Sequence, residues 1–464
     1  MKVHFFTLGC KTNTYESSAM GQSFTQKGYE ITKEKEEKAD IYIINTCSVT
    51  NIAERKSRQM MRQAKELNQK AIIVACGCYA QVAKDEIAKI NEVDLIIGSK
   101  EKNQIVEIIE KYLKNKNKEI RISDIMNECE YQDFGSTTST TMTELNRAVV
   151  KIQDGCDRFC TYCIIPFARG HIRSRDPKKI IEEIQNISKQ GIKEVVLTGI
   201  HLASYGKDFT DETAKQYRNK YNYTSKYKPY TPTDDLSSGG FRLIEILEQI
   251  NKIDGIERIR LGSIEPKIIT EEFVSRLSKL EKICHHFHLS LQSGCNETLK
   301  RMNRRYTTED FREICNILRK TYTDAIFTTD IIVGFPGETE EEFNQTYNFL
   351  KEIKMYKMHI FKYSPKKGTA ATKFKNQVDS KIKDERSKKL LKLSDKYQTE
   401  YNQTYLNKTL TVLFEEAEGE YYKGHTGNYL LVKAKSDKDI TDKILKVKIE
   451  KLEDLELVGT LIEE

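Results

Sequence analysis

No apolar run in this 464-residue chain approaches the roughly 20 residues of a membrane-crossing helix, so a membrane protein of that kind is not expected. A secretory leader is not expected either, because residues 1–10 hold one lysine and pass directly into strand-like sequence. No repeat of solenoid length recurs. Neither sign of charge dominates: 76 Lys and Arg against 69 Asp and Glu leave a formal +7, which fits a polyanionic partner without requiring one. A disulfide framework is missing as well. The eleven cysteines, an odd number spread over a long chain, read as metal ligands and buried thiols of a reducing cytoplasm. The expectation is a cytoplasmic monomer, away from membranes, long enough for about three domains.

Three of the cysteines stand in Gly155-Cys156-Asp157-Arg158-Phe159-Cys160-Thr161-Tyr162-Cys163, a C-x3-C-x2-C spacing. It hands a metal cluster three thiolates and leaves one iron without a protein ligand. The alternative is a structural zinc, which would need a fourth ligand such as His171 to close its tetrahedron.

Residues 1–115 alternate strand and helix patterns, with strands at 3–8, 41–45, 71–75 and 93–97, and predict an open parallel α/β domain. Cys10, Cys47 and Cys78 each follow one of these strands. Open α/β sheets hold ligands outside the carboxyl ends of their strands, so the three can converge on a second three-thiolate site. Three unrelated buried thiols are the alternative. Cys76 ends an apolar run and reads as a core residue.

A linker is expected over 116–144, where Ser and Thr crowd 127–144 without periodicity. Over 145–400 six strand-helix units, with strands starting near residues 148, 194, 257, 286, 325 and 357, predict a partial (β/α)6 barrel. The cysteine loop follows the first strand. An insert at 205–240, rich in Lys, Tyr and Asp, reads as a flexible loop or an RNA-holding surface. Five short strands after 401 predict a small closed β-barrel.

With these motifs the chain resembles the radical SAM methylthiotransferases. The resemblance rests on the Cys156 loop, Thr7-Leu8-Gly9-Cys10-Lys11-Thr12-Asn13, Asn45-Thr46-Cys47, Gly77-Cys78-Tyr79, Leu291-Gln292-Ser293-Gly294 and Val333-Gly334-Phe335-Pro336-Gly337. It implies an N-terminal cluster domain, a radical SAM barrel and a C-terminal TRAM-like barrel. Cys163 to Gly170, Arg173 to Pro177 and Thr198-Gly199-Ile200-His201 look like the branch acting on N6-threonylcarbamoyladenosine of tRNA position 37. Related branches act on N6-isopentenyladenosine or on an aspartate of a ribosomal protein. A non-catalytic, metal-containing RNA-binding protein is the remote alternative.

The implied cofactors are S-adenosylmethionine and two 4Fe-4S clusters, one on Cys156, Cys160 and Cys163 and one on Cys10, Cys47 and Cys78. The first cluster would cleave S-adenosylmethionine to a radical that takes hydrogen from C2 of the adenine, and the second would carry the methylated sulfur. No side chain is assigned as acid or base. Thr198, Gly199, His201, Ser263, Glu265, Gln292, Ser293 and Gly334 are expected near the S-adenosylmethionine, at carboxyl ends of strands. Arg169, Arg173, Arg175, Lys362, Lys366 and Lys367 are expected to contact tRNA. The terminal barrel is rich in Glu, although Lys423, His425, Tyr429 and Lys433 offer a local RNA-binding face. Cys129, Cys284, Cys295 and Cys315 read as bystanders. No local signature identifies the electron-donor protein or the sulfur source.

Overall fold

A computed structural model describes residues 1–32, 37–135, 147–210 and 241–462. Most of the 205–240 insert and part of the 116–144 linker lie outside these residues.

The first sheet comprises β1 (Lys2–Thr7), β2 (Glu30–Ile31), β3 (Ile41–Thr46), β4 (Ile72–Gly77), β5 (Leu95–Ile97) and β6 (Glu119–Arg121). All are parallel, in the order β2-β1-β3-β4-β5-β6. Strands β3 and β4 are buried along their whole length because helices cover both faces, which is why they read as continuous apolar runs. The sheet extends past residue 115: β6 belongs to it, although the Lys and Asn around Glu119–Arg121 read as linker.

The second domain holds β7 (Arg147–Asp154), β8 (Arg173–Ser174), β9 (Glu194–Gly199), β10 (Arg258–Leu261), β11 (His286–His288), β12 (Ile326–Val333) and β13 (Lys357–Lys362). Strands β7, β9 and β10 pair in parallel, as do β11, β12 and β13. Bridges Ile259–Ile283 and Ile264–Leu289 join the two groups into one curved wall of six parallel strands. The short β8 pairs antiparallel with β7 just after the cysteine loop. Outward residues such as Phe287, Ile331 and Met358 pack into the helical core, so their neighbours in the strand alternation face the lumen. Helix starts follow local chemistry: Thr307 with Asp310 and Thr339 with Glu342 form capping boxes, and Asp176 caps the helix opened by Pro177.

The last domain is a closed barrel of β14 (Thr409–Glu418), β15 (Tyr421–Thr426), β16 (Leu431–Lys435), β17 (Ile444–Glu453) and β18 (Glu456–Leu461), ordered β14-β15-β16-β18-β17. It plugs the amino end of the larger barrel. Tyr429 stacks on His286 and His425, with ring centroids 4.6 and 4.5 Å away, and lies under the Arg260 guanidinium at 4.8 Å. Among the described residues no helix is long and apolar enough to cross a membrane.

Candidate cluster and cofactor site

The three N-terminal cysteine loops are tied to one another by side chains of their own motifs. Asn13 Nδ2 donates to Leu8 O at 2.7 Å and to Thr46 O at 3.0 Å, pinning the first loop to the second. Thr46 Oγ1 donates to Cys76 O at 2.6 Å and accepts from Ala80 N at 3.2 Å, pinning the second to the third. Gly9 has φ +97°, and a Cβ there would stand 2.7 Å from Cys47 Sγ, so the first loop closes on that thiol only because Gly9 lacks a side chain. Burial pushes the Cys47 thiol up to about 12, with like-charge repulsion from Cys78 and Cys10 added and a hydrogen bond from the Val49 backbone opposing. The pinning bonds and the close approach at Gly9 gather the three cysteine loops at one edge of the sheet. Cys76 is fully buried in the sheet core.

The Cys156 loop is held from below and behind. Gln153 Nε2 donates to Gly155 O at 2.7 Å, Cys156 N to Gly170 O at 3.0 Å and Thr161 N to Met302 O at 3.1 Å. Arg304 Nη1 donates to Cys160 Sγ at 3.3 Å. Burial raises Cys156 and Cys163 to about 12, and the neighbouring thiols add to the rise. Such sulfurs become thiolates when a metal supplies the compensating charge.

A tetrahedral zinc draws its thiols to about 4 Å apart. Among the described residues the one His/Cys/Asp/Glu trio with ligand atoms all within 4.8 Å is His288, Asp330 and His359, so neither cysteine trio has that spacing. His171 is half-exposed and paired with Asp157 at 2.5 Å. Three cysteines in each set suit an iron-sulfur cluster with one open iron better than a four-ligand structural zinc.

The two sites meet through Arg169. Its Nε donates to Cys78 Sγ at 3.3 Å, and its Nη2 donates to Asn13 Oδ1 at 2.6 Å and Glu16 Oε2 at 3.1 Å. Glu16 also accepts from Lys102 at 2.5 Å and Lys151 at 2.7 Å, and Lys151 reaches Asp154 at 2.6 Å. All but Cys78 and Asp154 are 2% exposed or less, so the network is dry and joins both domains beneath Cys78. Burial opposes the Glu16 charge, yet Arg169, Lys102 and Lys151 hold its carboxyl well below the usual range. Sequence reasoning missed Glu16, Lys102 and Lys151, since nothing local marks a charge that will be buried.

Three residues expected to bind RNA are thereby corrected. Arg169, Arg173 and Arg175 are 1–2% exposed. Arg173 donates to Arg169 O at 2.8 Å, and Arg175 pairs with Glu183 and with Asp133 at 3.1 Å. Lys366 is buried too, with Nζ 2.8 Å from Glu54 against the N-terminal domain. Lys362 is half-exposed beside Asp384 at 2.6 Å, and Lys367 is exposed. In the terminal barrel His425 and Tyr429 turn inward, and Lys423 and Lys433 pair with Glu418 and Glu456, so they form no free basic face.

Of the residues expected near S-adenosylmethionine, Thr198, Gly199, His201 and Glu265 come together beside the cysteine loop. His201 Nε2 lies 2.7 Å from Glu265 Oε2, and its backbone N donates to Gln153 Oε1 at 2.7 Å. Arg158, from the loop itself, reaches Glu265 at 2.7 Å. Burial opposes the Glu265 charge, but His201, Arg158 and Arg304 bring its carboxyl to about 2. Gly199 leaves room for Gln153, whose Oε1 would be 2.9 Å from an added Cβ. Ser263 is exposed at the end of β10, and Gln292 bridges to β12 with φ +72°. Ser293 and Gly334 differ from expectation. The Ser293 hydroxyl is turned to Thr346 at 3.2 Å, and the space at Gly334 is filled by the Lys383 stem, 2.3 Å from where a Cβ would stand.

Residues 2–98 match the uncharacterized protein family UPF0004, and residues 150–350 match the radical SAM superfamily. Over 452 residues the chain is 41% identical to threonylcarbamoyladenosine tRNA methylthiotransferase MtaB of Bacillus subtilis, covering 96% of this chain and 93% of the relative. The chain belongs to the radical SAM methylthiotransferase family. An MtaB of Aquifex aeolicus is 39% identical over 95% of this chain and 98% of its own length. The tRNA-2-methylthio-N(6)-dimethylallyladenosine synthase of Alkaliphilus oremlandii is 34% identical over 99% and 92%. The fold is shared with the radical S-adenosylmethionine methyltransferase TsrM of Kitasatospora setae, at TM-score 0.52 and 12% identity over 78% of this chain and 76% of that one. Membership of this methylthiotransferase family makes S-adenosylmethionine and 4Fe-4S iron-sulfur its cofactor chemistry.

Proposed function

We propose that this enzyme adds a methylthio group to C2 of N6-threonylcarbamoyladenosine at position 37 of tRNA, in the cytoplasm, using two 4Fe-4S clusters. Cys156, Cys160 and Cys163 hold the cluster that binds S-adenosylmethionine, and Cys10, Cys47 and Cys78 hold the second. When bound, these groups supply the radical chemistry and the sulfur. The protein's part is placement. The carrying observation is the 3.3 Å contact of Arg169, from the helix after the Cys156 loop, with Cys78 of the other trio. Thr198, His201, Glu265 and Gln292 line the carboxyl ends of the strands, where they can orient S-adenosylmethionine. The Bacillus subtilis and Aquifex aeolicus threonylcarbamoyl enzymes, at 41% and 39% identity against 34% for the dimethylallyl one, support the substrate.

Two measurements test the reading. Nucleoside mass spectrometry of tRNA from a strain lacking the protein should show loss of the methylthio form of threonylcarbamoyladenosine; unchanged tRNA removes the substrate assignment. Anaerobic reconstitution should give about eight irons per chain, and replacing Cys10, Cys47 and Cys78 together should remove about half. A single four-iron complement in the unaltered chain would defeat the two-cluster scheme.

A further inference from the structure

The lumen of the larger barrel carries a polar trio that no cluster or cofactor contact uses. Strand register sets Asp330 of β12 directly beside His359 of β13, while His288 of β11 pairs with Thr328, two residues earlier on the same face. The ligand atoms of the three all lie within 4.8 Å of one another. His288 Nδ1 meets Thr328 Oγ1 at 3.0 Å, which leaves Nε2 toward Asp330 Oδ2 at 3.3 Å with no well-formed hydrogen bond. His359 is exposed to this space. Stability alone does not explain incompletely paired polar groups inside a barrel, whose lumen could be filled with apolar side chains.

Position gives the trio its meaning. Ser290, two residues after His288, accepts from Arg304 Nη2 at 3.2 Å, and the same guanidinium bonds Cys160. With a rise of about 3.3 Å per residue, the trio sits roughly 7 Å below the mouth that holds the Cys156 loop. The floor is closed by His286 stacked on Tyr429. Lys11, next to Cys10, opens the helix Lys11–Gln26, which packs against β7 and β9 of the same barrel wall. The Lys11 side chain is exposed.

We infer that His288, Asp330, His359 and Lys11 form the subsite for the substituent on N6 of the target adenine, and that this substituent bears a carboxylate and a hydroxyl. The inference rests on the proposed substrate. Lys11 and an imidazole N–H suit the carboxylate, and Asp330 accepts from the hydroxyl or a urea N–H. An apolar substituent would leave these groups dry and unpaired, so the same contacts exclude it. Two imidazoles and a carboxylate are also a transition-metal donor set, but the Arg260 guanidinium over Tyr429, which stacks on His286, disfavours a dication.

The test is equilibrium binding of reconstituted full-length enzyme to three anticodon stem-loop RNAs, identical except for N6-threonylcarbamoyladenosine, N6-isopentenyladenosine or adenosine at the target position. The unaltered enzyme should prefer the threonylcarbamoyl RNA over both others by on the order of ten-fold or more. His359→Phe and Lys11→Gln should each erase most of that preference, by weakening the threonylcarbamoyl RNA and not the adenosine RNA, while full iron content shows that the clusters are retained. A preference that survives both variants overturns the inference and leaves the proposed function standing. No preference in the unaltered enzyme also overturns it, and absence of methylthio product in addition defeats the proposed function itself. One equivalent of zinc or manganese per chain that His359→Phe abolishes, with RNA preference intact, would make the trio a metal site instead.

Discussion

Glu265 shows how a single residue reports on the site. Its carboxyl is depressed to about 2 against the burial that opposes its charge, because His201 and Arg158 both contact it at 2.7 Å. A depressed carboxylate contributes stability that is fully present above its unfolded pKa of roughly 4.3 and is lost as pH falls toward 2. Glu265→Gln should therefore lower the thermal midpoint by a few degrees at pH 7, equivalent to about 1–3 kcal/mol. The gap from the unaltered enzyme should shrink below about pH 4.5, as read by scanning fluorimetry across pH. Gly9 makes a second residue-level prediction. Ala at φ +97°, with its Cβ 2.7 Å from Cys47 Sγ, must displace the thiol or the loop. Gly9→Ala should lose about half the iron on reconstitution while keeping the share bound by the Cys156 loop.

Among structural elements, the helix Ile165–Arg169 and the helix Lys11–Gln26 matter most, because the Arg169 to Glu16 contact joins them across the domain boundary. Arg169→Met would leave Glu16 and Asp154 buried with fewer cations, a cost of about 3–5 kcal/mol at the interface. Hydrogen exchange should rise in both helices while the terminal barrel stays protected. The alternation of strand and helix was legible from sequence because fully buried strands such as β3 and β4 are short apolar runs between amphipathic helices. Strand β6 was not legible: three residues with Glu at one end and Arg at the other carry no periodic signal, and only pairing with β5 makes them a strand.

At the scale of the whole molecule, the terminal barrel acts first as the floor of the catalytic one. Tyr429→Ala removes the ring stacked on His286 and His425 and lying under Arg260. Limited proteolysis should then cut near 404–408, between the helix Ser380–Gln403 and β14, several-fold faster than in the unaltered enzyme. We propose that exposed lysines such as Lys362 and Lys367 contact the tRNA, so replacing both should flatten the salt dependence of tRNA binding by about one to two units of slope, with no change in iron content.

The C-x3-C-x2-C spacing, the three strand-following cysteines and the five short terminal strands were fixed by local order along the chain, and cluster chemistry and domain types could be read from them. Burial of Arg169, Arg173 and Arg175 could not, because arginine is usually exposed and the carboxylates that hold it, Glu16, Asp133 and Glu183, come from elsewhere in the sequence. The closeness of Cys78 to the barrel and the trio of His288, Asp330 and His359 were likewise decided only in three dimensions. A cysteine's spacing is a property of neighbours in sequence, whereas a charge's environment is set by the segments packed against it.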